Sequence, residues 1–370
     1  MGYAATGGTP RNRALRSLVR LFRSYHRHSF EMVPVGILRA ACGPLEEQRE
    51  LAALVQKEFE AIVLSTVRDL FQAESLQTHL QGLQGLVFTG GCALNVLANQ
   101  LVFETFARPR DLGFHVPVAP NDSGLAVAGH FALLPSTARQ QLQYVGFRLW
   151  DEEDLEEQAA KWGATKLSAL GGVEYLAELL AGGPAWRTQA PDRPSAPIVA
   201  VVRGRQEFGP RALGHRSLLA VPDTAELKDR MNRLKFREWY RPVAPMVADE
   251  DLVTVFGYEA KSPYMSMAPA VKPDIRKRFP ALAHLDGTAR HQSVGKEDEP
   301  WVHSLLLAVK SWTGLAALIN TSFNSRGHPI VNTIRDCLKM LRELPDLDYV
   351  LIEDWLFRKP QEDTKKDTKK

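Results

Sequence analysis

Arg203-Gly204-Arg205-Gln206-Glu207-Phe208-Gly209-Pro210-Arg211-Ala212-Leu213-Gly214-His215-Arg216-Ser217 follows directly on an apolar run, Ile198-Val199-Ala200-Val201-Val202. The run has the length and β-branched content of a buried strand. Gly204, Gly209, Pro210 and Gly214 then break any helix and set tight turns. Arg203, Arg205, Arg211 and Arg216 are interleaved with them. A rigid loop at a strand end that carries guanidinium forks suits an anion, a phosphate or a carboxylate. Glu207 is placed to neutralise or orient one of these arginines. On residue types alone, a surface turn with solvated charges reads equally well, because such a motif counts only in its structural context.

Three more stretches point the same way. Lys235-Phe236-Arg237-Glu238 alternates cations around one aromatic residue, and on an extended segment Lys235 and Arg237 face together. His284-Leu285-Asp286-Gly287-Thr288-Ala289-Arg290 adds a further cation, and Ile319-Asn320-Thr321-Ser322-Phe323-Asn324 adds hydroxyls and amides. Together the four stretches predict a pocket for a phosphorylated or nucleotide ligand. Taken singly, NTSFN reads as well as a helix cap or a turn.

EFGPRALGHRS, KFRE with the following Arg241-Pro242-Val243-Ala244-Pro245, HLDGTARHQSV and TGLAALINTSFNSRGHPIV occur in that order. This set resembles the C-terminal domain of the O-carbamoyltransferases, a family that includes nodulation-factor and antibiotic carbamoyltransferases. The resemblance covers residues 145–357 and, more weakly, 82–134.

Composition sets the outer bounds. The 370 residues suffice for two domains. A net charge of +3 argues for neither nucleic acid nor membrane as a partner. Cys42, Cys92 and Cys337 are widely spaced, forming neither a zinc-ligand pattern nor a disulfide framework. That spacing fits a reducing compartment. No run of about 18 apolar residues is present, so no transmembrane helix is expected. The expectation is a cytoplasmic protein. The first 28 residues are rich in Arg and poor in acids, which also resembles an organelle transit peptide.

Four regions follow from patterning and resemblance together: a basic stretch compatible with disorder (1–45), a partial catalytic domain (46–140), a second domain (141–358) and a charged, disordered tail (359–370). Residues 46–72 carry apolar residues at helical spacing on one face. Gly85-Leu86-Val87-Phe88-Thr89 reads as a strand, Gly90-Gly91 as a turn, and Ala93 to Asn99 as a helix, a unit that presents backbone N–H groups to an anion. A second such unit has a strand at 114–118, a turn at 120–124 and a helix at 125–133. A linker at 135–143 follows. Residues 152–180 read as helical with breaks at Gly163 and Gly171-Gly172, 182–197 as an exposed loop, and 333–344 as a helix. The two strand-turn-helix units resemble the second half of an actin-like or sugar-kinase-like ATPase domain. The resemblance implies an α/β fold in which that half is followed by an α+β, carbamoyl-adenylate-forming domain like threonylcarbamoyl-adenylate synthase.

The resemblance also implies the chemistry. The second domain would bind ATP and carbamoyl phosphate and make a carbamoyl-adenylate, and the first would pass the carbamoyl group to a hydroxyl of a small molecule. Arg211, Lys235, Arg237 and Arg290 would supply the positive pocket. Asn320, Ser322 and Asn324 would hydrogen-bond phosphate or carbamoyl oxygens. Gly90, Gly91 and Asn95 would lie along the adenylate. In the family the aspartate of the second turn is a metal ligand, which maps onto Asp122; an oxygen ligand suits Fe(II), Mn or Zn, with Mg accompanying ATP. From the residue alone, Asp122 reads equally as the N-cap of the next helix. The family's other ligands are two histidines four apart and far upstream, whereas this chain offers only Tyr25-His26-Arg27-His28. The chain is therefore expected to be shortened at its N-terminus, and to pair with a separate first lobe, associate with itself, or form part of a longer protein. A catalytically incomplete anion-binding module is the alternative.

Overall fold

The hydrophobic pattern is divided between two sheets. The computed structural model describes residues 2–8, 10–25, 33–138, 140–193, 195–325 and 327–359. Among these, ten strands form: β1 (Gly85–Val87), β2 (Gly113–His115), β3 (Thr165–Lys166), β4 (Val199–Val202), β5 (Arg216–Ala220), β6 (Ala244–Ala248), β7 (Gln292–Val294), β8 (Ala317–Ser322), β9 (Tyr349–Ile352) and β10 (Trp355–Arg358). β1 and β2 make a two-stranded parallel sheet, with Leu86 opposite Phe114. The other eight form one mixed sheet in the order β3-β10-β9-β4-β5-β8-β6-β7. The chain is α/β, as its sequence reads.

β4, β5, β6 and β9 are buried along their whole length. Strands covered on both faces read as continuous apolar runs rather than alternations, which is why 198–202 was legible. The helices Val173–Leu180 and Pro300–Thr313 pack against each other. They bury Leu176, Leu180, Val302 and Leu306 in the same core as β4 and β9.

Ahead of the large sheet, the helix Leu45–Gln72 forms where the spacing predicts it. Its Val67 joins Val102, Phe106, Leu86 and Phe114 in a smaller core. The helices Arg13–Tyr25 and Val35–Cys42 lay Leu15, Val19 and Ala40 against Leu51 and Leu54. Much of the basic N-terminal stretch is thus helical and packed; His26 and His28 lie outside the described residues, as does the tail beyond Lys359. The other side of Leu45–Gln72, together with β1, borders a groove of about 510 Å³ lined by Ile62, Leu70, Phe71, Leu83 and Leu86. No helix among the described residues is long and apolar enough to cross a membrane.

Two local readings change. Residues 182–197 contain the helix Pro184–Gln189, whose buried Trp186 donates its indole N–H to Ser195 O at 3.0 Å. A proline at the first helical position starts a helix as readily as it marks a loop. β2 ends at His115 instead of running to Val118. Pro117 has no N–H for a ladder, and Val116 and Val118 are buried by packing instead.

The stretch 203–215 is the long connection of a β-hairpin. It leaves β4 and returns as β5, with Val202 opposite Arg216. The connection is wedged against the first sheet's second turn, where Val118 and Ala119 share a core cluster with Leu213, Ala244 and Met265. Gly209 has φ +95°, and a Cβ there would stand 2.4 Å from Val118 O. Gly90 has a similar φ of +89° but open space around it. Gly209→Ala is therefore expected to destabilise the protein by about 2–4 kcal/mol, from left-handed strain plus overpacking. Gly90→Ala should cost only the strain, about 1–2 kcal/mol. Denaturant midpoints of the two variants check this, and equal losses would count against the close approach.

Candidate functional site

The four cations predicted to converge do so at one end of the large sheet, and the elements that carry them differ from those the sequence suggests. Lys235 caps the C-terminus of the helix Ala225–Leu234. Phe236 follows with φ +49°, so Lys235 and Arg237 sit on either side of a left-handed turn, not on an extended segment. The Lys235 ammonium donates to Ser322 O at 2.6 Å, to Ser322 Oγ at 3.1 Å and to Asn324 Oδ1. Ser322 Oγ in turn donates to Asn324 Oδ1 at 2.7 Å. Arg237 donates through Nε to Asn232 Oδ1 at 2.6 Å and through Nη1 to Thr321 Oγ1 at 3.3 Å. NTSFN is therefore neither cap nor turn at its start: Asn320, Thr321 and Ser322 end β8.

None of Arg211, Lys235, Arg237 and Arg290 forms an ion pair among the described residues. The atoms Arg237 Nη2 and Arg290 Nε are buried and have no hydrogen-bond partner among the described residues. Burial, and then Arg237, hold the Lys235 ammonium down to about 7. Burial, and then Arg241, bring Arg237 to about 10. Arg290 is pushed down to about 9 by burial, then by Arg211 and Arg237. Arg211 is lowered by burial. Desolvation and like-charge repulsion both disfavour the cationic forms. Half-buried guanidinium groups beside one another, with no ion-paired carboxylate among the described residues, suit an anion.

The other arginines of the hairpin connection are used on backbone. Arg203 donates to Glu353 O at 3.1 Å and lies over the Trp301 ring at 4.1 Å. Arg205 donates to Gly146 O at 3.0 Å. Arg216 is fully buried and donates to the carbonyls of Arg203, Gly204 and His215. Only Arg211 reaches the cation cluster. Glu207 forms no ion pair or hydrogen bond with an arginine side chain among the described residues: its Oε1 accepts from the backbone N–H groups of Leu213, His215 and Arg216 at 2.7, 2.8 and 3.1 Å. It clamps the loop that carries Arg211. Asn320 also holds this loop, donating to Ala212 O at 2.9 Å. That bond fixes the amide's orientation and leaves Oδ1 buried and unpartnered. The open atom is an acceptor, so it suits an N–H donor rather than a phosphate oxygen.

Two residues of the site were not singled out from the sequence. Asn232 places Arg237, while its Nδ2 donates to Trp239 O and Arg241 O; its only signal is a buried amide three residues before Lys235. His284 Nε2 lies 3.3 Å from the Arg290 backbone N. Burial lowers its imidazole to about 4, which keeps it a neutral acceptor.

The first sheet's candidates stand apart from this cluster. Gly90 N donates to Pro120 O at 2.7 Å, linking the two turns. Gly91 begins a short turn of helix and has open space around it. Asn95 N-caps the helix Val96–Val102 through Ala98 N and exchanges two 3.1 Å amide bonds with Gln56. A narrow cleft joins these turns to the cluster through Pro120, Pro210 and Arg211. Asp122 is exposed and starts the turn Asp122–Gly124 without capping it. Among the described residues no group of three or more His, Cys, Asp or Glu side chains is placed to hold a metal. One carboxylate does not make a metal centre, so the described residues do not fit one.

Comparison with known proteins agrees with the motif reading. A family model described as "Carbamoyltransferase C-terminus" matches residues 194–359. The chain is 31% identical over 302 residues to Nodulation protein U of Rhizobium fredii, covering 81% of this chain and 48% of that protein. It is 34% identical over 267 residues to Nodulation protein U of Rhizobium tropici, covering 71% and 42%. It is 35% identical over 279 residues to 3'-hydroxymethylcephem-O-carbamoyltransferase of Amycolatopsis lactamdurans, covering 74% and 49%. The chain spans about half the length of these relatives.

The depressed Lys235 gives a test that needs no substrate. Sulfate carries no titratable proton near neutrality, so any proton taken up when it binds comes from the protein. An anion raises the ammonium's affinity for its proton, and binding at pH above about 7 should draw a proton onto Lys235. Calorimetry in buffers of different ionisation enthalpy should show this uptake in the wild type and its loss in Lys235→Met. Uptake unchanged in the variant would remove Lys235 from the anion site.

Proposed function

The chain belongs to the carbamoyltransferase family through residues 194–359, and on that premise we propose that it takes part in carbamoyl transfer to a hydroxyl of a small-molecule acceptor. The observation that carries this reading is the cluster of buried Lys235 with half-buried Arg211, Arg237 and Arg290, which has no paired carboxylate among the described residues. In the fuller form of the proposal, water releases carbamate and phosphate from carbamoyl phosphate. A carbamate oxygen then attacks the α-phosphorus of ATP, the bond to the β-phosphate's bridging oxygen breaks, and pyrophosphate leaves. Charge moves toward the leaving pyrophosphate in that step. Cations already fixed in a dry site stabilise it without reorganising.

Each residue has a part under this reading. The arginines hold the phosphates, and Lys235, kept in place by Ser322 and Asn324, adds a compact charge whose proton is taken up with the anion. Asn320 Oδ1 accepts from the carbamoyl N–H, which matches the one open atom of that amide. Glu207 positions the Arg211 loop. Under this reading residues 141–358 are the carbamoyl-adenylate-forming domain of the resemblance, and residues 46–140 part of an actin-like domain. No step is assigned to a metal. The cephem relative's name specifies a hydroxymethyl acceptor, and a primary or secondary alcohol is the acceptor class proposed here. The rest of a relative-length protein, or a partner lobe, would complete the acceptor site.

ATP–pyrophosphate exchange with carbamoyl phosphate and magnesium tests the proposal. Lys235→Ala and Arg237→Ala should each lower exchange by about 100-fold, the usual loss for one preorganised electrostatic contact. Nucleotide binding without exchange in the wild type would favour the binding-module alternative. Absence of both would overturn the proposal.

A further inference from the structure

Among the described residues the Arg211 guanidinium makes no hydrogen bond or ion pair. Its place in the cation cluster is therefore set by backbone, and that backbone runs in two limbs. The outbound limb pairs with the linker: Phe208 N donates to Gln143 O at 2.8 Å, Gln206 N to Phe147 O at 2.8 Å, and Gly146 N to Gln206 O at 3.0 Å. The return limb is held by the large sheet. Ala212 O accepts from Asn320 of β8, and Leu213 O accepts from Gln292 of β7 at 3.0 Å. Arg211 lies at the bend between the limbs, so whatever joins them fixes its reach.

Two side chains join the limbs. Glu207 reaches from the outbound limb to three N–H groups at and beyond the bend. His215 reaches back: its Nδ1 donates to Arg205 O at 2.7 Å. A carbonyl only accepts, so that bond makes Nδ1 the donor. The other ring nitrogen, Nε2, meets Glu299 Oε2 at 3.1 Å. Glu299 stands immediately before the helix Pro300–Thr313, which is packed in the main core. The imidazole lies flat against Tyr144 of the segment after the linker, 3.7 Å between ring centroids at 15°. Tyr144 in turn donates to Leu213 O at 3.0 Å. One small ring thus touches the approach to the large sheet, both limbs and the start of a core helix. Only 14% of the His215 side chain and 12% of that of Glu299 are exposed, so water and salt screen the contact little.

We propose that His215 is a positioning residue for the anion site: tied across the hairpin connection to Arg205 O and outward to Glu299, it sets the bend that aims Arg211 at the bound anion. It touches no reacting atom in this role. The inference rests on the anion reading of the cation cluster. An imidazole suits the task because its two nitrogens bond to two different elements while its flat face packs on a third. With Nε2 unpartnered, one bond alone would hold the ring, and the limbs could pivot about it. A guanidinium at the end of a long side chain magnifies a small turn of the backbone beneath it.

Sulfate affinity, read by calorimetry on the folded protein with denaturant midpoints measured alongside, tests the tie. His215→Phe keeps the stack on Tyr144 and removes both hydrogen bonds. Glu299→Leu nearly keeps the volume and leaves Nε2 without a partner. Glu299→Gln restores a partner of either sense, since an amide both donates and accepts. His215→Phe and Glu299→Leu should each bind sulfate roughly ten-fold more weakly, the size of one lost hydrogen bond to a charged group, and Glu299→Gln should stay within about two-fold of the wild type. A merely structural role lowers the midpoints of the first two variants and leaves their sulfate affinity unchanged, and that result overturns the proposal. A long-range charge effect of Glu299 tightens binding in both Glu299 variants alike, which also overturns it. Should His215→Phe not fold, the two Glu299 variants decide alone. A wild type that does not bind sulfate overturns the anion reading itself, so the two failures are distinguishable.

Discussion

Mutual repulsion of four cations that form no ion pair among the described residues is the constraint to which the rest of this structure answers. Partly desolvating guanidinium groups side by side without paired carboxylates is unfavourable, and it persists only where the surroundings over-determine it. Here the surroundings do so with neutral groups. Asn232 and Thr321 hold Arg237, and Ser322 and Asn324 hold Lys235. The Arg211 loop is held by Glu207 and Asn320 through its backbone, leaving the guanidinium itself unbonded to them. Neutral hydrogen bonds fix position without cancelling charge. A scaffold of carboxylates would have been more stable and would have left nothing for an anion to gain.

The same logic explains the eight-stranded sheet. The cluster is assembled from the end of β8, the helix end before Phe236, the approach to β7 and the hairpin connection between β4 and β5. These segments are distant in sequence, and only a rigid sheet brings them to one place. Fully buried central strands supply that rigidity.

How much of this could be read in advance depended on whether a residue's role was local. The buried strand at 199–202, the helix Leu45–Gln72 and the helix at 125–133 follow from periodicity, and the structure has them. Arg211, Lys235, Arg237, Arg290 and Ser322 were picked as a group by residue type and motif, and the fold brings them together. What failed was the attribution of geometry. Lys235 and Arg237 face the site through a left-handed residue, which nothing in KFRE signals. Three of the four hairpin arginines bond carbonyls, because guanidinium satisfies backbone acceptors as readily as anions and composition does not tell the two apart. Asn232 and His284 act through Arg237 and Arg290, and such indirect roles have no signature of their own.

The hairpin connection has a further consequence for how this protein tolerates change in length. Surface connections ordinarily absorb insertions and deletions because one side faces water. The connection from Arg203 to His215 is held from inside by Glu207, anchored by Asn320 of β8, and pressed at Gly209 against Val118 in the turn that follows the first sheet. It behaves as a spacer cut to fit between two walls. One residue more or fewer would move Arg211 out of the cluster. The loop is thus a gauge of the distance between the two sheets, and a shift of either sheet would be read at the cation site.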